Sequence, residues 1–246
     1  MKDTQTMLFA KIKDLCTISQ KRPGFLGFLN ENEVAAAEDF LHHRTETYKF
    51  WGGHCDAERK ILGLFPDYIS PQEELFPLKA LSLYYREQDI LTHRDFLGVF
   101  MSLGIERSTI GDILIEDGRC VVFVREEIQK YLQDNLRKIG SVGVRIDEDA
   151  GLPLPPMHMY KDCQGVIASR RLDCITAFLS KSSREKSAVM IKNGLVMKNH
   201  REILSPSEAI EEGDILSIKQ KGKFLIDQLG PLTSKGRVVV RCRKYI

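Results

Sequence analysis

Long apolar runs are missing from this chain. No window of 18 residues is apolar, so no segment is expected to cross a bilayer as a helix. The opening Met1-Lys2-Asp3-Thr4-Gln5 lacks the apolar core of a signal peptide, and a cytoplasmic, non-membrane protein is expected. Cysteines Cys16, Cys55, Cys120, Cys163, Cys174 and Cys242 are scattered without paired spacing, which predicts reduced thiols rather than a disulfide framework. His42, His43, His54 and Cys55 fall near one another, but no Cys-x-x-Cys or His-x-x-x-His spacing supports a metal site. There is no phosphate-binding glycine loop, no Gly-x-Ser-x-Gly elbow and no dinucleotide fingerprint, so no cofactor is expected. Aromatic residues are scarce in the last third, which argues against reading of single strands by stacked rings.

What the chain has is an uneven charge. Residues 161–246 hold 17 Lys and Arg against 9 Asp and Glu, a net +8, whereas residues 1–160 hold 19 against 25, a net −6. A basic end on an acidic body predicts an anionic partner docking at that end. The cations crowd one stretch: Arg170 and Arg171, then Lys181, Arg184 and Lys186, with Lys192 beyond. Ser182 followed by Glu185 reads as a capping box, so a helix is predicted from Ser183. Asn193-Gly194 ends it, Leu195 to Met197 is a short strand, Asn199-His200 a tight turn, and Glu212-Gly213-Asp214 a second turn before a strand from Ile215. Lysine, arginine and helix N-terminal amides on one surface are what phosphate recognition requires. The final strand, Arg237 to Arg243, puts Val238, Val240 and Cys242 on one face, with Arg237, Arg241 and Arg243 on the other and no acid between them.

The rest of the chain reads as α+β in three parts. Residues 1–76 are predicted to be a helical domain, with helices over Thr6 to Ile18, Glu31 to His43 (capped by Asn30 with Glu33) and Ala57 to Leu64. Tyr48 to His54, with the only tryptophan and two glycines, reads as a core corner. Residues 77–168 are predicted to be a ferredoxin-like domain in the order β-α-β-β-α-β: a strand from Ala80, a helix from His93, a hairpin across Asp117-Gly118, a helix from Glu126 and a strand from Ser141. RNA-recognition modules share that order, but Phe123 is the only aromatic of its third strand and reads as core, leaving Arg94, Arg107 and Lys138 to reach phosphates. Asp147 to Met159 reads as a proline-rich spacer.

The basic third, residues 169–246, resembles the S4-type RNA-binding domain. The resemblance rests on Arg171-Leu172-Asp173, Ser183-Arg184, Gly194-Leu195-Val196 with Asn199, and Gly213-Asp214; His200 departs from it, standing where such domains carry glycine. It implies an RNA-binding set of Arg170, Arg171, Lys181, Ser182, Ser183, Arg184, Lys186, Lys192, Lys198, Asn199 and Arg201. Arg171-Leu172-Asp173 with Thr176 also resembles the catalytic segment of pseudouridine synthases, in which the aspartate is the nucleophile. No catalytic-sized domain follows here, so Asp173 reads as a helix cap or the partner of a neighbouring arginine.

Three further stretches extend the resemblance over the whole chain: Phe50-Trp51-Gly52-Gly53 with Ala57-Glu58-Arg59; Leu91 to Gly98; and Leu103 to Arg107 with Ile110-Gly111-Asp112-Ile113. Together they are similar to the bacterial YlmH family, cytosolic S4-domain proteins whose genes lie near cell-division genes. This resemblance implies a non-enzymatic RNA-binding protein. Its implied partners are rRNA, tRNA, the large ribosomal subunit and other quality-control factors, and its implied process is alanine tailing of stalled chains. The alternatives are an RNA-modifying enzyme of the pseudouridine-synthase type and a cell-division scaffold.

Overall fold

In the computed structural model, which describes residues 2–42 and 44–246, the capping box at Asn30 forms. The Asn30 side chain accepts the Asn32 and Glu33 N–H groups at 3.0 Å, and Glu33 accepts the Asn30 N–H at 2.8 Å. The chain is mixed α/β with antiparallel sheets, and its contacts divide it into Met1–Met157 and His158–Ile246.

The first unit opens with α1 (Lys2–Ser19), β1 (Gly24–Leu29), α2 (Glu31–Leu41), β2 (Thr47–Trp51) and β3 (Lys60–Phe65). The last residue of the expected second helix, His43, lies outside the described residues. The all-helical reading of residues 1–76 is corrected, because three antiparallel strands form a sheet in the order β1-β3-β2. The helix expected over Ala57 to Leu64 is instead strand β3. Leu62 and Leu64 pack under α1 and α2 with Leu8, Ile12, Leu15, Ala37 and Leu41. Ile61 and Phe65 face the other way, onto Phe28, Phe76, Leu114, Val121 and Phe123. A strand buried on both faces is a continuous apolar run, and periodicity alone does not separate it from a buried helix.

The unit continues with β4 (Leu78–Tyr84), α3 (His93–Ser102), β5 (Ile110–Glu116), β6 (Arg119–Arg125), α4 (Glu126–Asn135), the small hairpin β7 (Lys138–Ile139) and β8 (Val142–Gly143), and β9 (Arg145–Asp147). The four-stranded sheet runs β5-β6-β4-β9. Phe96 and Phe100 of α3 and Leu132 of α4 cover one face, against Leu81, Leu83, Val122 and Val124. Leu114, Val121 and Phe123 carry the other face onto the first sheet. The layers are therefore helices, sheet, sheet, helices, and residues 1–76 share a core with the region after them. The proline-rich segment is not a spacer as far as Met157. Arg119 donates to the carbonyls of Ala150, Gly151 and Pro153, and Leu154 and Met157 pack against the core between the sheets.

The second unit contains β10 (Tyr160–Ile167), α5 (Leu172–Ser180), α6 (Arg184–Lys192), β11 (Val196–Lys198), β12 (Arg201–Glu202), β13 (Ile215–Ile218), β14 (Gly222–Leu232) and β15 (Val238–Tyr245). Its sheet has the order β10-β15-β14-β13-β11-β12. Strand β10, expected from Gln164 to Ser169 as a lead into the basic domain though inside the 77–168 bounds, starts earlier and pairs with β15 along its whole length, from Tyr160 opposite Tyr245 to Ile167 opposite Val238. Ile175 and Ile191 of the two helices close the inner face over Val196, Leu216, Phe224, Ile226 and Val240. The ring of Phe178 fills the space a Cβ at Gly165 would need, so β10 requires glycine where α5 crosses it.

Candidate nucleic-acid interface

The cationic loop lies between α5 and α6. Helix α5 ends with Lys181 in the left-handed region at φ 53°. The Lys181 N–H reaches the Phe178 carbonyl at 3.3 Å and the Ser182 N–H reaches that of Ala177 at 3.0 Å, the two bonds of a Schellman ending. Ser182 thus completes the first helix and does not open the second. Its Oγ lies 2.7 Å from Ser180 Oγ and 2.9 Å from that of the buried Ser187. The N-cap is Ser183, whose Oγ accepts the Lys186 N–H at 3.3 Å, and the helix begins at Arg184 rather than at Ser183. The result is a loop whose serine side chains serve the fold while Lys181, Arg184 and Lys186 stay exposed.

Asp173 anchors the cluster. Its side chain is only 5% exposed, and it accepts from Arg171 Nε at 3.2 Å, Arg171 Nη2 at 3.1 Å and Arg184 Nε at 2.9 Å. Desolvation pushes its pKa up, but the hydrogen bonds from the two guanidinium groups outweigh that and leave it below the usual carboxylate value. The two arginines remain about half exposed, at 43% and 54%, so one buried acid fixes two cations at the protein surface. Asp173 is a partner of arginines, as expected, and is not a helix cap.

Several of the remaining candidates are committed to the fold. Lys198 Nζ donates to the Ala209 carbonyl at 2.8 Å and lies 3.2 Å from the Asp214 carboxylate, with its side chain 17% exposed. Asn199, at φ 48°, donates to Asp214 at 2.8 Å and accepts the Ile215 N–H at 2.8 Å, and His200 follows at φ 64°. The turn is a two-residue hairpin of the primed type, and Lys198 and Asn199, expected as RNA ligands, both help to hold it. Arg170 is exposed, but its Nη2 donates to the Leu229 carbonyl at 2.7 Å. Lys192 is exposed in the last turn of α6, and Arg201 is exposed on β12. The structure therefore gathers Arg171, Lys181, Ser183, Arg184 and Lys186 around the α5–α6 loop and leaves Lys198, Asn199 and Arg201 on the small hairpin.

In the first unit, Arg107 is half-buried and engaged by the fold. It donates to the carbonyls of Ile110 and Gly111, and burial beside Arg59 lowers its pKa to about 10. Arg59 donates to the carbonyls of Ile110, Phe28 and Arg107, while Asp112 accepts from the N–H groups of Glu58 and Arg59 and lies 3.2 Å from His54 Nε2. Glu58, Arg59, Arg107, Ile110 and Asp112 belong to the family-like stretches, and these contacts bond the two sheets together. Phe123 is buried in that joint, whereas Arg94 and Lys138 are exposed.

The outer face of the second unit's sheet was not anticipated. The arginine row of β15 is interrupted by an acid from the next strand: Arg243 donates to both carboxylate oxygens of Asp227, at 2.7–3.1 Å. Beside it stand aromatic residues from opposite ends of the unit. Tyr160 and Tyr245 have ring centroids 5.0 Å apart, and His158 lies 4.6 Å from Tyr245. Composition alone offered no signal for this, because only the β10–β15 register brings those residues together.

Residues 71–151 match the family model described as "Putative RNA-binding domain in YlmH". With the mixed α/β fold, this match defines the class: a protein that carries an RNA-binding domain. The chain is 32% identical over 223 residues to the ribosome-associated protein quality control protein P2 of Bacillus subtilis strain 168, covering 89% of this chain and 86% of that one. It belongs to the YlmH family. Among solved structures it is similar to the cell division protein ylmH from Streptococcus pneumoniae, at 26% identity and TM-score 0.49, over 60% of this chain and 87% of that one.

Proposed function

We propose that this chain is a non-enzymatic RNA-binding factor that docks on the large ribosomal subunit and contacts tRNA during quality control of stalled chains. In this reading residues 169–246 act as an S4-type domain whose α5–α6 loop meets the phosphates of a folded RNA helix. The observation that carries it is the arrangement at Asp173, where one buried carboxylate orients two half-exposed arginines beside Lys181 and Lys186. Shape recognition of double-stranded RNA works through such phosphate contacts. The curated relative's name supports the ribosomal setting. The large subunit, tRNA and alanine tailing come from the family resemblance.

The same arrangement disfavours the pseudouridine-synthase alternative, because a nucleophilic aspartate held by two guanidinium groups is blunted toward attack. The middle domain, proposed as ferredoxin-like, has its sheet covered on both faces, so any RNA it meets is met by outer residues such as Arg94 and Lys138. Gradient fractionation of native lysate tests the proposal. The chain should co-sediment with large subunits, more strongly when they carry peptidyl-tRNA, and Lys181→Ala with Arg184→Ala should move it to the top. Equal signal with small subunits, or no response to the double variant, would refute it. Unchanged RNA modification in a deletion strain, read by mass analysis, separates binding from catalysis.

A further inference from the structure

We propose that the outer face of the second unit's sheet is a second RNA contact, one that stacks and reads unpaired nucleotides. It deepens the RNA-binding reading and rests on it. Along β10 and β15 the outer-face pairs are Tyr160 with Tyr245, Asp162 with Arg243, and Gln164 with Arg241, and Gln228 of β14 lies on the far side of Arg241. Successive pairs are two residues apart, so the row advances about 7 Å per pair. Helices α5 and α6 pack on the inner face, and the outer face is open enough that Tyr160 is 37% and Val166 48% exposed.

A solvated sheet face has no need of clustered rings. Here His158, Tyr160 and Tyr245 meet edge to face at 4.6–6.0 Å, with Arg243 4.6 Å from the centroid of Tyr160 and Lys223 4.7 Å from that of Tyr245. Rings supply stacking surface to any base, and the adjoining cations supply charge for the backbone. The next pair along supplies a guanidinium between two exposed glutamine amides, groups that pair with base edges once a base is unstacked. Lys223, Arg241 and Arg243 outnumber Asp162 and Asp227 on this face, so its charge complements a polyanion. Duplex RNA presents no unpaired base and should ignore the rings.

The test uses the full chain with two probes, an unstructured single-stranded RNA oligomer and a blunt RNA hairpin whose strands are joined by a non-nucleotide linker, so that it presents no unpaired base. Tyr245→Ala should weaken single-strand binding about tenfold and leave hairpin binding unchanged. Tyr245→Phe, which keeps the ring, should behave as wild type. Ultraviolet crosslinking of the wild-type chain to the oligomer should place adducts on Tyr160 or Tyr245, a readout that needs no variant to fold. Hairpin binding without single-strand binding, equal losses on both probes, or adducts confined elsewhere would each overturn the sheet-face site alone. Failure of the wild-type chain to bind either probe would overturn the underlying RNA-binding reading as well.

Discussion

Lys181 occupies a position that glycine would fill at lower cost. At φ 53° a side chain strains the backbone, and Schellman endings favour glycine for that reason. A lysine held there is consistent with a role outside the fold. Lys181→Gly should therefore raise stability by roughly 0.5–1 kcal/mol in a denaturant melt while weakening RNA binding. Ser183→Ala should cost about 1 kcal/mol through the lost N-cap. Asp173 gives a pH signature. Its folded pKa is depressed, so the stability it contributes is fully present above the unfolded value of about 3.9 and is lost as pH falls through the lower folded value. Melts of wild type and Asp173→Asn should differ by a constant amount above pH 5 and converge below pH 4. A difference that persists in acid would remove the ion pairs from the account. At this scale the sequence was legible wherever bonds are local, as at Asn30 with Glu33. It misled at Ser182, because the spacing to Glu185 matches a capping box while the N–H of Ser182 is already claimed by the preceding helix.

Among the elements, sheet faces carry the lesson. Phe123 stands where an RNA-recognition module would display a stacking ring, yet it lies in the joint with Phe28, Ile61 and Phe65. Phe123→Ala should destabilise the chain by about 3–5 kcal/mol, a core truncation, without a specific effect on RNA affinity of the folded protein. The small hairpin makes a similar point. Asn199→Ala should cost about 2 kcal/mol, because it removes two hydrogen bonds and the side chain best suited to the left-handed turn. Thermal melts check both, and an RNA defect in Asn199→Ala at full stability would restore its role as a ligand. Elements with local punctuation, such as the Asp117-Gly118 hairpin joining β5 and β6, were readable in advance. Strand β3 was not, because its burial on both faces depends on a sheet contributed by residues far along the chain. The pairing of β10 with β15 was hidden for the same reason.

Over the whole molecule, charge and architecture divide together. In the first unit Arg59, Arg107 and Arg119 donate to internal carbonyls, and no helix of the described residues is long and apolar enough to cross a membrane. In the second unit, outward basic residues gather around the α5–α6 loop and on the sheet face. Binding there should be driven by counterion release, with Arg171, Lys181, Arg184 and Lys186 each neutralising a phosphate. The direct measurement is the affinity of the full chain for ribosomal RNA across a series of salt concentrations. The account predicts a log–log slope of about −3 from four contacts, reduced by roughly half when Lys181 and Lys186 are both replaced by alanine. A slope near zero, or one that the double replacement leaves unchanged, would contradict it.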